Sequence, residues 1–208
     1  MKKLILASIA GNVIYKTEFF LTKPFNKMRV AYLPTAAHGE GGDTPWLDEE
    51  LNAFRKLGFQ LTEVNLEGKN ENQLRKECKN IDAVLVCGGN TYYLLEHVRK
   101  SGFDKVVADL VEQGVVYIGT SAGSVLAGAT IDVARNFDDP AKAHISDYSG
   151  LKFVDFAIVP HIDEKKYSGK LEATLGQWKD APVNLVGLAN SQALLVKDNY
   201  IELIDAAL

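Results

Sequence analysis

Val115-Val116-Tyr117-Ile118-Gly119-Thr120-Ser121-Ala122-Gly123-Ser124 is the stretch on which the reading of the chain turns. Its first four residues are apolar and mostly β-branched or aromatic, and too few for a helix, so they read as a buried strand. Gly119-Thr120-Ser121-Ala122-Gly123 follows without a spacer, and Ser124–Ala129 can continue as a helix. A G-x-S-x-G pattern between strand and helix has a mechanical meaning. The turn is so tight that small residues must flank the serine, and it projects Oγ outward at a helix N-terminus. The amide of Ala122 would then point to where an oxyanion forms, aided by the positive end of the helix. The plainer alternative is a small-residue turn with a serine N-cap.

Outward from this stretch, apolar runs alternate with helical patterns. Strands are predicted at Lys3–Ser8, Arg29–Leu33, Gln60–Val64, Ala83–Cys87, Val115–Ile118, Phe156–Val159, Asn184–Leu188, Ala193–Val196 and Tyr200–Ile204. Helical spacing of apolar residues covers Trp46–Leu57, Thr91–Lys100 and Phe103–Gln113, with Gly102 and Gly114 placed to end the last two. Runs that are apolar throughout, such as Ala83-Val84-Leu85-Val86, belong to strands covered on both faces. The expected fold is therefore α/β and three-layered, with a mostly parallel sheet and helices on both faces. The last three strands are joined by connections too short for helical crossovers. They are expected to form antiparallel hairpins along a C-terminal edge. With no repeat, linker or break in composition, residues 1–208 read as one domain.

Composition narrows the function. Of 208 residues 47% are hydrophobic and 24% charged, which excludes a disordered or fibrous chain. The net charge of −4 lacks the basic excess that nucleic-acid binding usually shows, so no nucleic-acid partner is expected. Cys78 and Cys87 are too few for a disulfide scaffold, and a reducing, cytoplasmic location is expected. Met1-Lys2-Lys3 and the apolar run after it mimic a signal peptide, but the run breaks at Gly11-Asn12 and reads better as a first core strand. No apolar run reaches the roughly 18 residues of a membrane span. A monomer or small homo-oligomer is expected.

In such a sheet, ligands collect beyond the carboxyl ends of the strands. Cys87-Gly88-Gly89-Asn90-Thr91 lies at one such end, and its glycines allow close backbone approach, with Gly88 or Gly89 able to offer a second oxyanion amide. Cys87 reads as a buried strand-end residue rather than a rival nucleophile. Of four histidines, His97 falls on a charged helix and is expected to face solvent, His38 lies in a loop, and His144 has no pattern around it. His161 follows a predicted strand and Pro160, where a general base is needed. Its orienting partner could be Asp163 or a residue of Leu188-Ala189-Asn190-Ser191-Gln192, although a residue at i+2 rarely reaches the far side of the same imidazole. Metal-ligand spacings such as H-x-x-x-H are missing, so neither metal nor cofactor is expected.

These residues resemble the aspartyl dipeptidase (peptidase E) family of serine peptidases, which also includes cyanophycinase. The likeness runs from Tyr32-Leu33-Pro34-Thr35 through Gly88-Gly89-Asn90, Ser121-Ala122-Gly123 and Val154-Asp155-Phe156 to Pro160-His161. It implies a glutamine-amidotransferase-like α/β fold and a Ser–His–acid triad with Ser121 as nucleophile, His161 as base and the amides of Gly89 and Ala122 as oxyanion donors. One position departs: Asn190 stands where the family has an acid. An amide can hold the imidazole tautomer but adds no negative charge, and acid-to-amide changes in triads can cost about four orders of magnitude in rate. Three readings follow: a slow hydrolase, an acid such as Asp163 substituting, or a different use of the crevice. The family selects an aspartate with a basic residue beyond the histidine. Lys165, Lys166 and Lys170 occupy that stretch, either for substrate or as a solvated face. The leading expectation is a serine peptidase acting on short peptides through an acyl-enzyme on Ser121, with His161 and Asn190. The alternative is an impaired homologue that binds a small ligand or partner. An esterase of the α/β-hydrolase type fits less well, because its acid precedes its histidine.

Overall fold

The computed structural model describes residues 1–207, and the elements named here lie within them. Its nine strands are β1 (Lys3–Ala7), β2 (Arg29–Leu33), β3 (Gln60–Glu63), β4 (Ala83–Val86), β5 (Val116–Thr120), β6 (Ala157–Val159), β7 (Leu185–Gly187), β8 (Gln192–Lys197) and β9 (Tyr200–Asp205). The α-helices are α1 (Ala10–Val13), α2 (Thr35–His38), α3 (Pro45–Lys56), α4 (Glu71–Glu77), α5 (Thr91–Ser101), α6 (Phe103–Glu112), α7 (Ala122–Ala127) and α8 (Ser168–Gln177).

Seven strands form one sheet in the order β3-β2-β4-β5-β1-β8-β9. The pairs from β3 to β1 are parallel, and β1–β8 and β8–β9 are antiparallel. Period-2 alternation divides the core into two layers. Leu4 and Leu6 join Val84, Val86 and Tyr117 beneath α5, α6 and α7, whereas Ile5 and Ala7 join Leu85, Ile118 and Leu195 beneath α1 and α3. Both faces of the sheet are thus dry, which is why its central strands carry no polar alternation. α4, absent from the sequence reading, owes its start to a capping box. Asn70 accepts from the amide of Gln73, whose side chain accepts in turn from the amide of Asn70.

One expectation is overturned. Asn184–Leu188 does not form an antiparallel hairpin with the strand after it. Its central part, β7, pairs in parallel with β6 in a separate two-stranded sheet, reached by a crossover that contains α8. The reason lies in edges. β8 already has β1 on one side and β9 on the other, and a strand has only two hydrogen-bonding edges. The segment from Leu188 to Ser191 is therefore a passage between sheets rather than the tip of a hairpin. The amide of Leu188 still bonds to Val159 O, and the amide of Gln192 closes back on Ala189 O.

Packing at the end of β5 leaves no space for side chains. A Cβ on Gly123 would lie 2.0 Å from the carbonyl oxygen of Val86. We expect Gly123→Ala to cost about 3 kcal/mol or more in denaturant unfolding. At Gly169, in α8, nothing lies within 4 Å of such a Cβ. Gly169→Ala should instead stabilise by roughly 0.5–1 kcal/mol.

Candidate active site

β5 extends two residues beyond its predicted end, so Ser121 is the first residue to leave the sheet. It does so at φ 48° and ψ −113°, a conformation that costs on the order of 1–3 kcal/mol for a residue with a Cβ. The surroundings hold it there. Its amide donates to both Ala7 O and Ser8 O, at 3.1 and 3.0 Å, while the amides of Ser124 and Val125 donate to its carbonyl. The hydroxyl of Ser124 donates to Ala7 O at 2.7 Å. α7 starts at Ala122, whose amide has no partner within its own helix and stands beside the serine. The Gly88-Gly89 loop closes the other side. A Cβ on Gly88 would lie 3.2 Å from that of Ser121, and Gly89, at φ 128°, passes so close to Ala36 that a Cβ would fall 2.3 Å from its carbonyl.

His161 follows β6 and Pro160, and also has a positive φ, 61°. Its Nε2 is 2.9 Å from Ser121 Oγ, and its Nδ1 is 2.6 Å from Asn190 Oδ1. Donor and acceptor accounting assigns the protons. The Asn190 Nδ2 group donates to Glu164 Oε1 at 2.8 Å, a carboxylate that can only accept, so Oδ1 is the atom facing the imidazole. Oδ1 cannot donate, hence Nδ1 carries the proton and Nε2 is free to accept from the Ser121 hydroxyl. Ser8, just past the end of β1, completes the cluster. Its Oγ accepts from the amide of His161 at 2.9 Å, donates to Asn190 Oδ1 at 3.0 Å and lies 3.2 Å from Nδ1. The Asn190 backbone is held too, with its amide donating to Asp163 Oδ1 at 2.9 Å and its carbonyl accepting from Asn12 Nδ2 at 3.1 Å.

Burial sets most of the electrostatics. It is the main cause that lowers the pKa of His161 below its usual value, with Asn190 and the nearby carboxylates opposing it. The imidazole is therefore neutral at pH 7, as an acceptor must be. Glu50 is buried beneath the turn, and burial raises its pKa even though Oε1 accepts from Thr120 Oγ1 at 2.7 Å and from the Gly11 amide at 3.3 Å. On the far wall, burial pushes Asp138 up to about 6, against the bonds it accepts from the amide and hydroxyl of Thr91. Glu164 moves the other way, held below the usual carboxylate range chiefly by its hydrogen bond from Asn190. Burial raises the Cys87 thiol well above its usual value, which removes it as a thiolate.

Ser121, His161 and Asn190 thus meet from three separate stretches of chain, and Gly89 and Ala122 line the same crevice. Two of the three lysines, Lys166 and Lys170, stand over the Tyr167 ring, at 4.8 and 5.6 Å from its centroid. Lys166 lines the crevice, 3.3 Å from Glu164 and over the ring of Tyr167, whereas Lys165 is exposed and Lys170 reaches back to Phe137 O. Asp163 contacts the backbone of Asn190, not the imidazole. His97, expected in solvent, is half-buried against Tyr93 because the helix face it occupies turns inward. Sequence reasoning missed Ser8, Glu50, Trp46, Glu164 and Tyr167, all lining the crevice. Ser8 had a usable signal: as the residue that ends a predicted strand, it stands where ligand-facing residues collect.

The fold is three-layered α/β, with this crevice at the carboxyl ends of its parallel strands. The profile of peptidase family S51 matches residues 11–204, so the chain belongs to that family and is a peptidase. It is 29% identical to an uncharacterised peptidase of Listeria innocua over 97% of this chain and 95% of that protein. It is also 27% identical to peptidase E of a Nostoc species, over 98% of this chain and 86% of the relative. In three dimensions it is similar to a crystal structure of a Listeria monocytogenes protein assigned to peptidase E. The TM-score is 0.90 at 23% identity, over 99% and 98% of the two chains. A peptidase from an acI-B1 actinobacterium has the same fold, with a TM-score of 0.74 at 15% identity, over 99% of this chain and 88% of that one.

Glu50 supplies a prediction whose sign follows from its raised pKa. Stability contributed by a neutral, buried carboxyl is full below the ordinary glutamate range and is lost as pH rises toward the folded-state value. Between about pH 4 and about pH 7, wild type should therefore lose stability relative to Glu50→Gln, as read by urea unfolding at each pH. Glu50→Ala leaves Thr120 and the Gly11 amide without their acceptor and should cost about 1–3 kcal/mol.

Proposed function

We propose that the protein is a serine-type peptidase that hydrolyses short peptides through an acyl-enzyme on Ser121. The observation that carries this reading is the 2.9 Å contact between Ser121 Oγ and His161 Nε2, with the other ring nitrogen engaged by Asn190. In the first half-reaction Ser121 Oγ attacks the scissile carbonyl carbon while its proton passes to His161 Nε2. The carbonyl oxygen, now an anion, lies against the amides of Gly89 and Ala122, whose dipoles need no reorganisation at that moment. The C–N bond then breaks, and His161 returns the proton to the departing amine. Water attacks the acyl-serine with His161 again as base, the carboxylate leaves, and the proton returns to Ser121.

Asn190 holds the imidazole in the tautomer this sequence needs, and Ser8 holds both. The strain at Ser121 supports the same reading, because backbone held in a sparsely populated region clusters at sites where it positions a reacting group. Peptide substrates follow from family membership. A preference for dipeptides, and work in the cytoplasm, are part of the proposal. Lys166 lines the crevice, which supports a contact with substrate, and its pairing with Glu164 blunts it as a site for an acidic side chain.

A fluorophosphonate probe should label wild type at Ser121 and leave Ser121→Ala unlabelled, as read by mass spectrometry of the modified peptide. Folded wild-type protein that resists high probe concentration would favour the ligand-binding alternative. Because His161 must be neutral to act and its pKa is lowered, the labelling rate should climb with pH along an acid limb centred below 6.5, the ordinary histidine value.

A further inference from the structure

We propose that Glu164 is a positioning residue that acts through Asn190, supplying across one amide the negative charge that the third member of a serine triad ordinarily carries. This rests on the serine-peptidase reading above. The geometry is a continuous line of hydrogen bonds: Ser121 Oγ to His161 Nε2 at 2.9 Å, His161 Nδ1 to Asn190 Oδ1 at 2.6 Å, and Asn190 Nδ2 to Glu164 Oε1 at 2.8 Å.

The two ends of an amide are coupled electronically. A carboxylate accepting from Nδ2–H draws nitrogen lone-pair density toward the carbonyl and makes Oδ1 more negative, so each bond in the line strengthens the next. When His161 takes the serine proton and becomes a cation, the Oδ1 in contact with Nδ1–H is the atom that feels it. A neutral asparagine alone would meet that cation with a dipole. Asparagine backed by a carboxylate meets it with a dipole and a charge.

Local structure puts Glu164 in place. The amide of Glu164 donates to His161 O at 3.1 Å, closing a turn that swings the glutamate back toward the histidine. Asn190 then arrives from the passage between β7 and β8 and inserts its side chain between the two. The other charged groups nearby do not replace Glu164. Asp163 is spent on the Asn190 backbone amide, and Lys166 pairs with the other oxygen, Oε2, at 3.3 Å, leaving Oε1 to Asn190. Lys166 is itself largely exposed, at 64%, so water screens its share of the charge more than that of Glu164, which is half-buried. Tyr167 stands beside the line, its ring 5.9 Å from that of His161.

The test is a double-mutant cycle on Glu164 and Asn190, read by the rate constant of fluorophosphonate labelling and by NMR titration of the His161 imidazole. Glu164→Gln keeps an oxygen that can accept from Asn190 and removes only the charge. In the wild-type background it should slow labelling about tenfold and move both the acid limb and the imidazole pKa to lower pH. In the Asn190→Asp background the relationship reverses. There the new carboxylate touches the imidazole directly and faces Glu164 across a short distance, so Glu164→Gln should speed labelling. An equal slowing in both backgrounds, or an imidazole pKa that does not fall in Glu164→Gln, overturns the proposal and leaves Glu164 a loop anchor. Absence of labelling in wild type and all variants would instead remove the serine-peptidase reading, while the imidazole titration still reports whether Glu164 reaches His161 through Asn190.

Discussion

The parallel pairing of β1 with β5, in the register that sets Ala7 opposite Thr120, is the constraint around which the site assembles. Both strands end at the same level, so Ser8 and Ser121 leave the sheet side by side, and the Ser121 amide can reach the last carbonyls of β1. A shift of one residue would move Leu4 and Leu6 out of the layer beneath α5, α6 and α7 and into the layer beneath α1 and α3, where Ile5 and Ala7 now pack. The fit of side-chain sizes in the two layers thus holds the register, and the register places the hydroxyls. On its other edge β1 takes β8 antiparallel, and the amide of Ser8 bonds to Gln192 O. That pairing carries the Asn190 segment to the imidazole. One central strand, through its two edges, gathers residues that lie far apart in the chain.

The charges in the crevice are handled in three different ways. Glu50 has its carboxyl pKa raised by burial beneath the turn, against the hydrogen bonds it accepts there. His161 is kept neutral by the same cause, yet it lies within reach of groups that favour its cation. Glu164, nearer to solvent, stays ionised and communicates with the centre through an amide. Placing the charge at the rim avoids the desolvation penalty that a carboxylate buried beside the imidazole would carry.

Much of the architecture was legible in the chain because the signals behind it are local. Ala83–Val86 and Val116–Ile118 are apolar on both faces and could only be central strands, and helices α3, α5 and α6 follow their apolar spacing to within about two residues. The pairing of β7 was not legible. Its distance along the chain from β8 is that of a hairpin, and only the occupancy of both β8 edges sends it to β6. The site divides along the same line. Ser121 directly follows a strand and His161 stands two residues past one, so a rule about strand ends finds them, whereas that rule left Gly88 and Gly89 open and the family resemblance chose Gly89. Glu164 sits in Asp163-Glu164-Lys165-Lys166, a run indistinguishable in sequence from a solvated surface, and the contacts that single it out come from a segment on another part of the chain.

By itself the amino-acid sequence determined the layers, the parallel core and the sharp turn at Ser121, since hydrophobic period, glycine placement and small-residue packing act between neighbours. The tertiary structure alone decided which oxygen of which side chain faces the imidazole. That choice depends on where the two sheets meet. No local preference encodes the 2.6 Å between His161 and Asn190, because it is set by how strands far apart in the chain share their edges.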